Sequence, residues 1–319
     1  MTTLLNKTTA LTLLNKEYPN LKNWDINIEK QFLAGPGRVS NAFLCIAQSP
    51  NAPFKKFVAK AAPPHAENIS SIISEHRSLV FAAKGSFSFP KLLFQDHVPT
   101  SLLLIEFLDG TNAHTAIENG VNVSKIFELI GKTTHALHQI PTPHFGELNN
   151  KPEDWSTHMI RKILQNLATS KTVIDQELHV QTSRLVEASL PALVEPNEPR
   201  LIHRDIYVSN FLINNALTEA SIIDFGMARG GRPFYDLAKF YILDLYHYPI
   251  AKSSFLEGYF QGNAIPSDFT PLLKVYLLRE LLGMIIFFDA LGEYKPKKHA
   301  IKVLHELVNG KGTITQLVN

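Results

Sequence analysis

Read for its alternation of apolar and polar positions, the chain changes character near residue 109. Residues 3–16 have the spacing of a helix. From about 26 the pattern turns extended: INIEKQFL, then a turn with two glycines, GPGRVSN, then AFLCIAQ. The cluster SPNAP at 49–53 is turn chemistry, and KKFVAK follows as a third antiparallel strand. Ile69, Ile72, Ile73, His76, Leu79 and Val80 then recur at helical spacing over 66–83. Two more extended runs, KLLFQD and SLLLIEF, bring the expectation to five short strands and one main helix.

Beyond Asp109-Gly110 the periods are helical. VSKIFELIGKTTHALHQI, EDWSTHMIRKILQNLA, FYDLAKFYILDLYHY and LLKVYLLRELLGMIIFFDALG all read as amphipathic or buried helices. Among them only 201–226 is strand-like. The pattern predicts an α+β protein of two unequal lobes with a ligand-binding cleft between them. The lobes are expected at 1–108, with 1–24 as a helical extension, and at 109–319.

Composition narrows the class. Of 319 residues, 45% are apolar and 19% charged, enough apolar material for a large core and too much for a disordered chain. A formal net charge of +2 gives no global pull toward nucleic acid. The single cysteine, Cys45, leaves no intramolecular disulfide and no multi-cysteine zinc site, which fits a reducing cytosol. The run LLGMIIFFDAL at 281–291 is too short to span a bilayer and carries Asp289, so no membrane association is expected. Polar residues break up the N-terminal leucines, so no export signal is read there and a cytoplasmic protein is expected.

The chemistry concentrates in residues 201–240, LIHRDIYVSNFLINNALTEASIIDFGMARGGRPFYDLAKF. Asp205 and Asn210 are five apart, and Asp224 lies fourteen beyond Asn210 in Asp-Phe-Gly. FLI and SII flank the turn-prone NNALTEA, which predicts a hairpin. A hairpin returns the chain so that Asn210 and Asp224 sit at one end. Two oxygen ligands there, completed by phosphate oxygens, suit Mg²⁺. This is the combined catalytic-loop and metal-binding signature of kinases, and it leaves ATP and GTP undistinguished as the donor. Asp205 is the candidate to orient an acceptor hydroxyl and take its proton.

The upstream third supplies the rest. Strand alternation in KKFVAK puts Val58 and Lys60 on one face. Lys60 then reaches the α- and β-phosphates while Val58 covers the adenine ring. Glu75, fifteen residues later on the helix, pairs with Lys60 and holds it in place. In GPGRVSN, Gly35 and Gly37 permit close backbone approach, and the following amides can donate to phosphate oxygens.

These residues together resemble the aminoglycoside phosphotransferase family, the small-molecule branch of the protein-kinase-like fold. The resemblance covers roughly 25–310. It rests on Ser40-Asn41 after the glycines, Lys60, Glu75, LLLIEFLDG, HRDIYVSN, IIDFG and DLAKF. It implies a bilobal fold and an ATP- and Mg²⁺-dependent phosphotransferase acting on a hydroxyl of a small molecule. It also implies that the Glu106 carbonyl and the Leu108 amide meet adenine, that Ile105 lines the pocket, and that Asp236 braces the catalytic loop. Two departures stand out. Many members carry glycine where this chain has Arg204, and the long activation segment of protein kinases is absent, since Gly226 and Asp236 are only ten positions apart.

A protein kinase and a nucleotide-binding pseudokinase remain alternatives, the first for its Arg204-containing loop. Candidate carboxylates for a cationic acceptor are Asp154, Asp244, Glu280, Asp289 and Glu293. Gly131-Lys132-Thr133 imitates the end of a phosphate-binding loop but lacks its earlier glycine, Ile126 standing in that place. His135 and His138, three apart, are read as packed or hydrogen-bonded rather than metal-binding. The sequence leaves the identity of the acceptor and the oligomeric state open.

Overall fold

A computed structural model describes residues 7–32, 41–50, 52, 54–61, 66–99, 102–148, 151–194 and 198–318. The chain begins with helix α1 (Lys7–Glu17) and continues into strands β1 (Ile26–Phe32), β2 (Asn41–Ala47) and β3 (Lys56–Ala61). Helix α2 (Ala66–Ala82) and strand β4 (Leu102–Glu106) complete this part. The four strands form one antiparallel sheet in the order β1-β2-β3-β4.

Strand alternation gives this sheet two different faces. Phe43, Cys45, Phe57, Ala59, Ala61, Leu102 and Leu104 form an apolar cluster with Ala10 and Leu14 of α1. The N-terminal helix therefore caps the back of the sheet. The opposite face carries Val58, Leu103 and Ile105, which pack into the larger core of the molecule with Ile72 and Leu79 of α2. Lys60 shares the strand face of Val58, so it points toward the larger body.

The expected fifth strand is not a strand. Residues 91–96 make one isolated bridge, Leu92 opposite Ile105, with bonds from Leu93 N–H to the Leu104 carbonyl and from Glu106 N–H to the Lys91 carbonyl. Pro90 lacks an N–H and the chain turns at Gln95-Asp96, so the run is too short to build a ladder.

The remainder is largely helical. After β5 (Thr111–Asn112) come α3 (Ala113–Glu118), α4 (Val123–His138), α5 (Trp155–Ser170) and α6 (Gln176–Ser189). Strand β6 (Arg200–Ile202) pairs with β9 (Arg229–Gly231), while β7 (Phe211–Ile213) and β8 (Ala220–Ile222) form the predicted hairpin. Helix α7 (Phe234–Phe240) runs into a π-helical turn, Tyr241–Leu245, where the sequence period suggests an uninterrupted helix. Helices α8 (Lys252–Phe260), α9 (Phe269–Ala290), α10 (Tyr294–Asn309) and α11 (Thr313–Val318) follow.

Helix α9 is the run of LLGMIIFFDAL. Its Leu281, Leu282 and Ile285 are buried in the core, as expected of an interior helix. No helix of the described residues is long and apolar enough to cross a membrane. Gly131 is a packing residue. A Cβ there would overlap the Phe255 carbonyl of α8, and one on Gly258 would overlap the Glu128 carbonyl of α4. The two glycines let α4 and α8 cross with their backbones in contact.

Candidate active site

The apolar stripe of α2 explains how a glutamate becomes buried. Ile72, Glu75, His76 and Leu79 occupy one face at helical spacing, and packing that stripe carries Glu75 inside with 3% of its surface exposed. There Glu75 Oε1 accepts from Lys60 Nζ at 2.6 Å and from the Phe225 N–H at 3.3 Å. Lys60 Nζ also donates to Asp224 Oδ1 at 3.1 Å. Burial alone would depress the Lys60 ammonium, but the Glu75 and Asp224 carboxylates override it and hold its pKa above the ordinary lysine value. The structure thus joins strand β3, helix α2 and the Asp-Phe-Gly turn through one ammonium group.

The β7–β8 hairpin does for Asn210 and Asp224 what its sequence predicts. Phe211 pairs with Ile222, and the Ile223 N–H donates to the Asn210 carbonyl at 2.9 Å. Asn210 and Asp224 therefore flank the same end. Asn210 is buried at 2% exposure, and its Nδ2 donates to the Asp205 carbonyl at 2.8 Å and to Asp205 Oδ2 at 3.0 Å. With that nitrogen committed to Asp205, the Asn210 side-chain oxygen is the atom left to meet a cation. Among the described residues no group of three or more His, Cys, Asp or Glu side chains converges to hold a metal. A two-oxygen set of one carboxylate and one amide fits a hard cation that keeps phosphate or water oxygens in its shell.

Asp236 organises the loop that carries Asp205. It is 1% exposed, and its carboxylate accepts from the backbone N–H of His203 at 2.6 Å and of Arg204 at 2.7 Å. His138 of α4 adds a third bond to it at 3.1 Å and meets the Tyr259 hydroxyl at 2.8 Å. One tautomer satisfies the trio, with His138 Nε2–H donating to Asp236 and Tyr259 donating to Nδ1. His203 is buried edge-on to Phe225, ring centroids 4.9 Å apart, and bonds the Ile223 carbonyl through Nε2 at 3.1 Å. Burial pushes its pKa down. Through the Ile223 carbonyl it ties the loop to the end of β8.

Arg204 stands in the left-handed region at φ +66°, and Asp224 at φ +72°. A non-glycine residue there carries strain of about 1 kcal/mol. Glycine would adopt the backbone at position 204 without that strain, and the bond from the Arg204 N–H to Asp236 helps hold Arg204 there. The segment after Gly226 is used up by β9, so no long loop stands between the Asp-Phe-Gly turn and α7.

Lys239 escapes the sequence reading, and Asp244, read there as a carboxylate for a cationic acceptor, has a different role. Lys239 of α7 forms an ion pair with Asp205 Oδ1, its ammonium lying 5.6 Å from the centre of the Tyr207 ring. Asp244, in the π-helical turn, accepts from the Val208 N–H at 3.1 Å and so holds the far end of the same loop. Burial pushes the Asp244 carboxyl up to about 8. The available signal was position: Asp236 and Lys239 are i, i+3 on one helix. A π turn, with more residues per turn than an α-helix, brings Asp244 five residues later onto that same side.

Val58 and Ile105 are register partners across β3 and β4, Val58 half-buried and Ile105 buried. Glu106 ends β4, and Leu108 follows outside regular structure, half-buried. Asn41 opens β2 opposite Ala61. Gly35, Gly37 and Ser40 lie outside the described residues. Of the acids considered for a cationic acceptor, four are engaged internally. Asp154 caps α5 through the Thr157 N–H, Asp244 holds Val208, Glu280 accepts from Tyr235 and Arg279, and Asp289 pairs with Lys297. A cavity of about 540 Å³ lies elsewhere, behind α2, lined by Leu79, Phe87, Phe89 and Leu92 among others.

The chain matches the phosphotransferase enzyme family over residues 36–272, about three quarters of its length and the whole of the site just described. It belongs to that family. No curated protein matches it by sequence. Among solved structures, the phosphotransferase fold recurs in the ternary complex of an aminoglycoside phosphotransferase APH(4)-Ia mutant with AMP-PNP and hygromycin B. That match has a TM-score of 0.65 at 14% identity and covers 95% of this chain and 98% of that one. The GDP complex of aminoglycoside 2'-phosphotransferase-IIIa gives 0.67 at 15% identity, covering 96% and 99%. Macrolide 2'-phosphotransferase type I gives 0.62 at 16%, covering 95% and 98%. The family and the shared fold make this chain a bilobal, kinase-like phosphotransferase, as the motifs imply.

Proposed function

We propose that this phosphotransferase moves the terminal phosphoryl group of ATP, taken as its Mg²⁺ complex, to a hydroxyl of a small molecule. The observation that carries the reading is the continuous set of bonds from Lys60 through Asp224 and the hairpin to Asn210 and Asp205. Residues 1–108 form the nucleotide-binding lobe and 109–319 the catalytic and acceptor-binding one. The phosphates are the ligand expected for Gly35, Gly37, Ser40 and Asn41. Val58 covers the adenine ring and Ile105 beside it lines the pocket, while the ring's edge meets the Glu106 carbonyl and the Leu108 amide. Lys60, held by Glu75, orients the α- and β-phosphates. Asn210 and Asp224 hold Mg²⁺, which supplies charge neutralisation at the phosphate oxygens. Asp205 orients the acceptor hydroxyl and receives its proton, an assistance of roughly 10²–10⁴ in rate.

The short connection from Gly226 to α7 favours a small acceptor over a protein. A cytoplasmic setting fits the use of ATP and the single free cysteine. Incubation with γ-labelled ATP, Mg²⁺ and a panel of hydroxyl compounds tests the reading. Labelled product is expected from the wild type and not from Asp205→Ala. A wild-type protein that binds no ATP in a thermal-shift assay overturns it.

A further inference from the structure

The ion pair between Lys239 and Asp205 has a consequence for the reaction. Asp205 presents two oxygens. Oδ2 is occupied by Asn210, whose amide also grips the Asp205 carbonyl, so the orientation of the carboxylate is already fixed from that side. Oδ1 is the oxygen on which an acceptor hydroxyl must dock, and it is the one that Lys239 holds. An acceptor can reach Oδ1 only by sharing it with the ammonium or displacing it. In either case the charge of Lys239 comes to lie beside the acceptor oxygen, where the phosphorus arrives.

The base of that side chain has little freedom to move away. Asp236, three residues before it, is fixed by three hydrogen bonds, and Asp244, five residues after it, is tied to Val208. The Lys239 side chain itself remains about a quarter exposed, within reach of solvent and of a bound molecule. Lys60 is committed to Glu75 and Asp224 on the nucleotide side. The acceptor side of the site thus has a cation of its own.

We infer that Lys239 is a catalytic residue that contacts the phosphoryl group in transfer. The inference rests on the phosphotransferase reading above. As the acceptor oxygen bonds to the γ-phosphorus, the bond from that phosphorus to the β–γ bridging oxygen breaks. The bridging oxygen keeps the electron pair as ADP leaves, and the hydroxyl proton passes to Asp205 Oδ1. The Lys239 ammonium, released from Oδ1 by the incoming hydroxyl, donates to an equatorial oxygen of the moving group. Its charge is matched to the transition state, because the loose phosphoryl group carries its charge on those oxygens.

The test compares a ground-state nucleotide with a mimic of the transferring group. Affinities for AMP-PNP and for ADP with aluminium fluoride, both with Mg²⁺, are measured by calorimetry, with fluorine NMR of the bound fluoride. Lys239→Met is expected to keep AMP-PNP affinity within about twofold and to lose about 10²-fold for the fluoride complex, the scale of one lost transition-state donor. Its fluorine resonances should shift, and Lys239→Arg should recover part of the loss. The same comparison is then made in an Asp205→Asn background. A further loss on adding Lys239→Met supports direct contact. No further loss means that Lys239 acts only through Asp205, and overturns the inference. Equal losses for both ligands also overturn it. A wild type that folds but binds neither ligand sinks the phosphotransferase reading itself, and Lys239's role with it.

Discussion

Two lysine–carboxylate pairs stand on opposite sides of the site, and they are built differently. Lys60 and Glu75 are buried, on a strand and a helix fifteen residues apart in sequence, with a third partner 164 residues from Lys60. Lys239 and Asp205 are each about a quarter exposed, on a helix and a loop that α7 and the π turn after it clamp at both ends. The first pair depends on three elements staying in register. The second sits on a loop whose backbone donors are already satisfied. A buried pair is expensive to break, because the survivor is left as an unpaired charge. A pair that solvent still reaches can be lost at less cost to the fold. The contrast separates residues that hold the nucleotide side together from residues available for chemistry.

That contrast can be broken most severely at Lys60. Lys60→Met removes the ammonium shared by Glu75 and Asp224 and should cost about 3–5 kcal/mol of stability, read by denaturant unfolding. Lys239→Met, in the same assay, should cost less than about 1 kcal/mol. Similar costs for the two variants would erase the distinction.

Asp205→Ala should slow transfer by roughly 10²–10⁴ while leaving ATP affinity within a few-fold in calorimetry. A variant with full turnover removes Asp205 from the chemistry. Asp236→Ala orphans the His203 and Arg204 amides and the His138 ring at once. It should destabilise the protein by about 3 kcal/mol or more, at ~1–3 kcal/mol for each of the three unsatisfied groups, and should depress turnover as the loop loosens. A drop in turnover without a fall in melting temperature would show that the brace is not structural.

Asp244 gives a smaller effect that depends on pH. Its carboxyl is raised from 3.8 to about 8 in the folded protein. Between those values the folded state binds the extra proton, so stability falls as pH rises through that window. Asp244→Asn keeps an acceptor for the Val208 N–H and removes the titration. Its stability relative to wild type should therefore improve from pH 5 to pH 9, followed by the denaturant midpoint at each pH. The opposite trend would contradict the burial. The smallest effect is expected at Arg204→Gly. It relieves a left-handed φ and loses a side chain lying over Tyr235, so stability should stay within about 1 kcal/mol. A larger fall would show that the side chain outweighs the backbone.

The parts of the site legible in the sequence are those fixed by short-range chemistry. NNALTEA between two apolar runs makes a hairpin, and the hairpin alone brings Asn210 to Asp224. Lys60 and Glu75 are legible because strand and helix periods put each on an inward face. Lys239 and Asp244 are not, since their partners lie 34 and 36 residues away and a helical lysine ordinarily meets water. The π turn is invisible for a related reason: FYDLAKFYILDLYHY is apolar on most sides and hides a change of pitch. The segment 91–96 misleads in the other direction, since its composition suits a strand but Pro90 and the turn at 95 deny it a ladder.

Cys45 lies in the sealed back of the sheet, its thiol pushed up to about 12 by burial. At neutral pH it has almost no thiolate to offer an alkylating reagent. The native sequence is therefore already suited to selective labelling. A cysteine introduced on α2 and another on α10 would carry a pair of spectroscopic probes without first removing Cys45. The distance between the two parts of the enzyme could then be followed as nucleotide and acceptor bind.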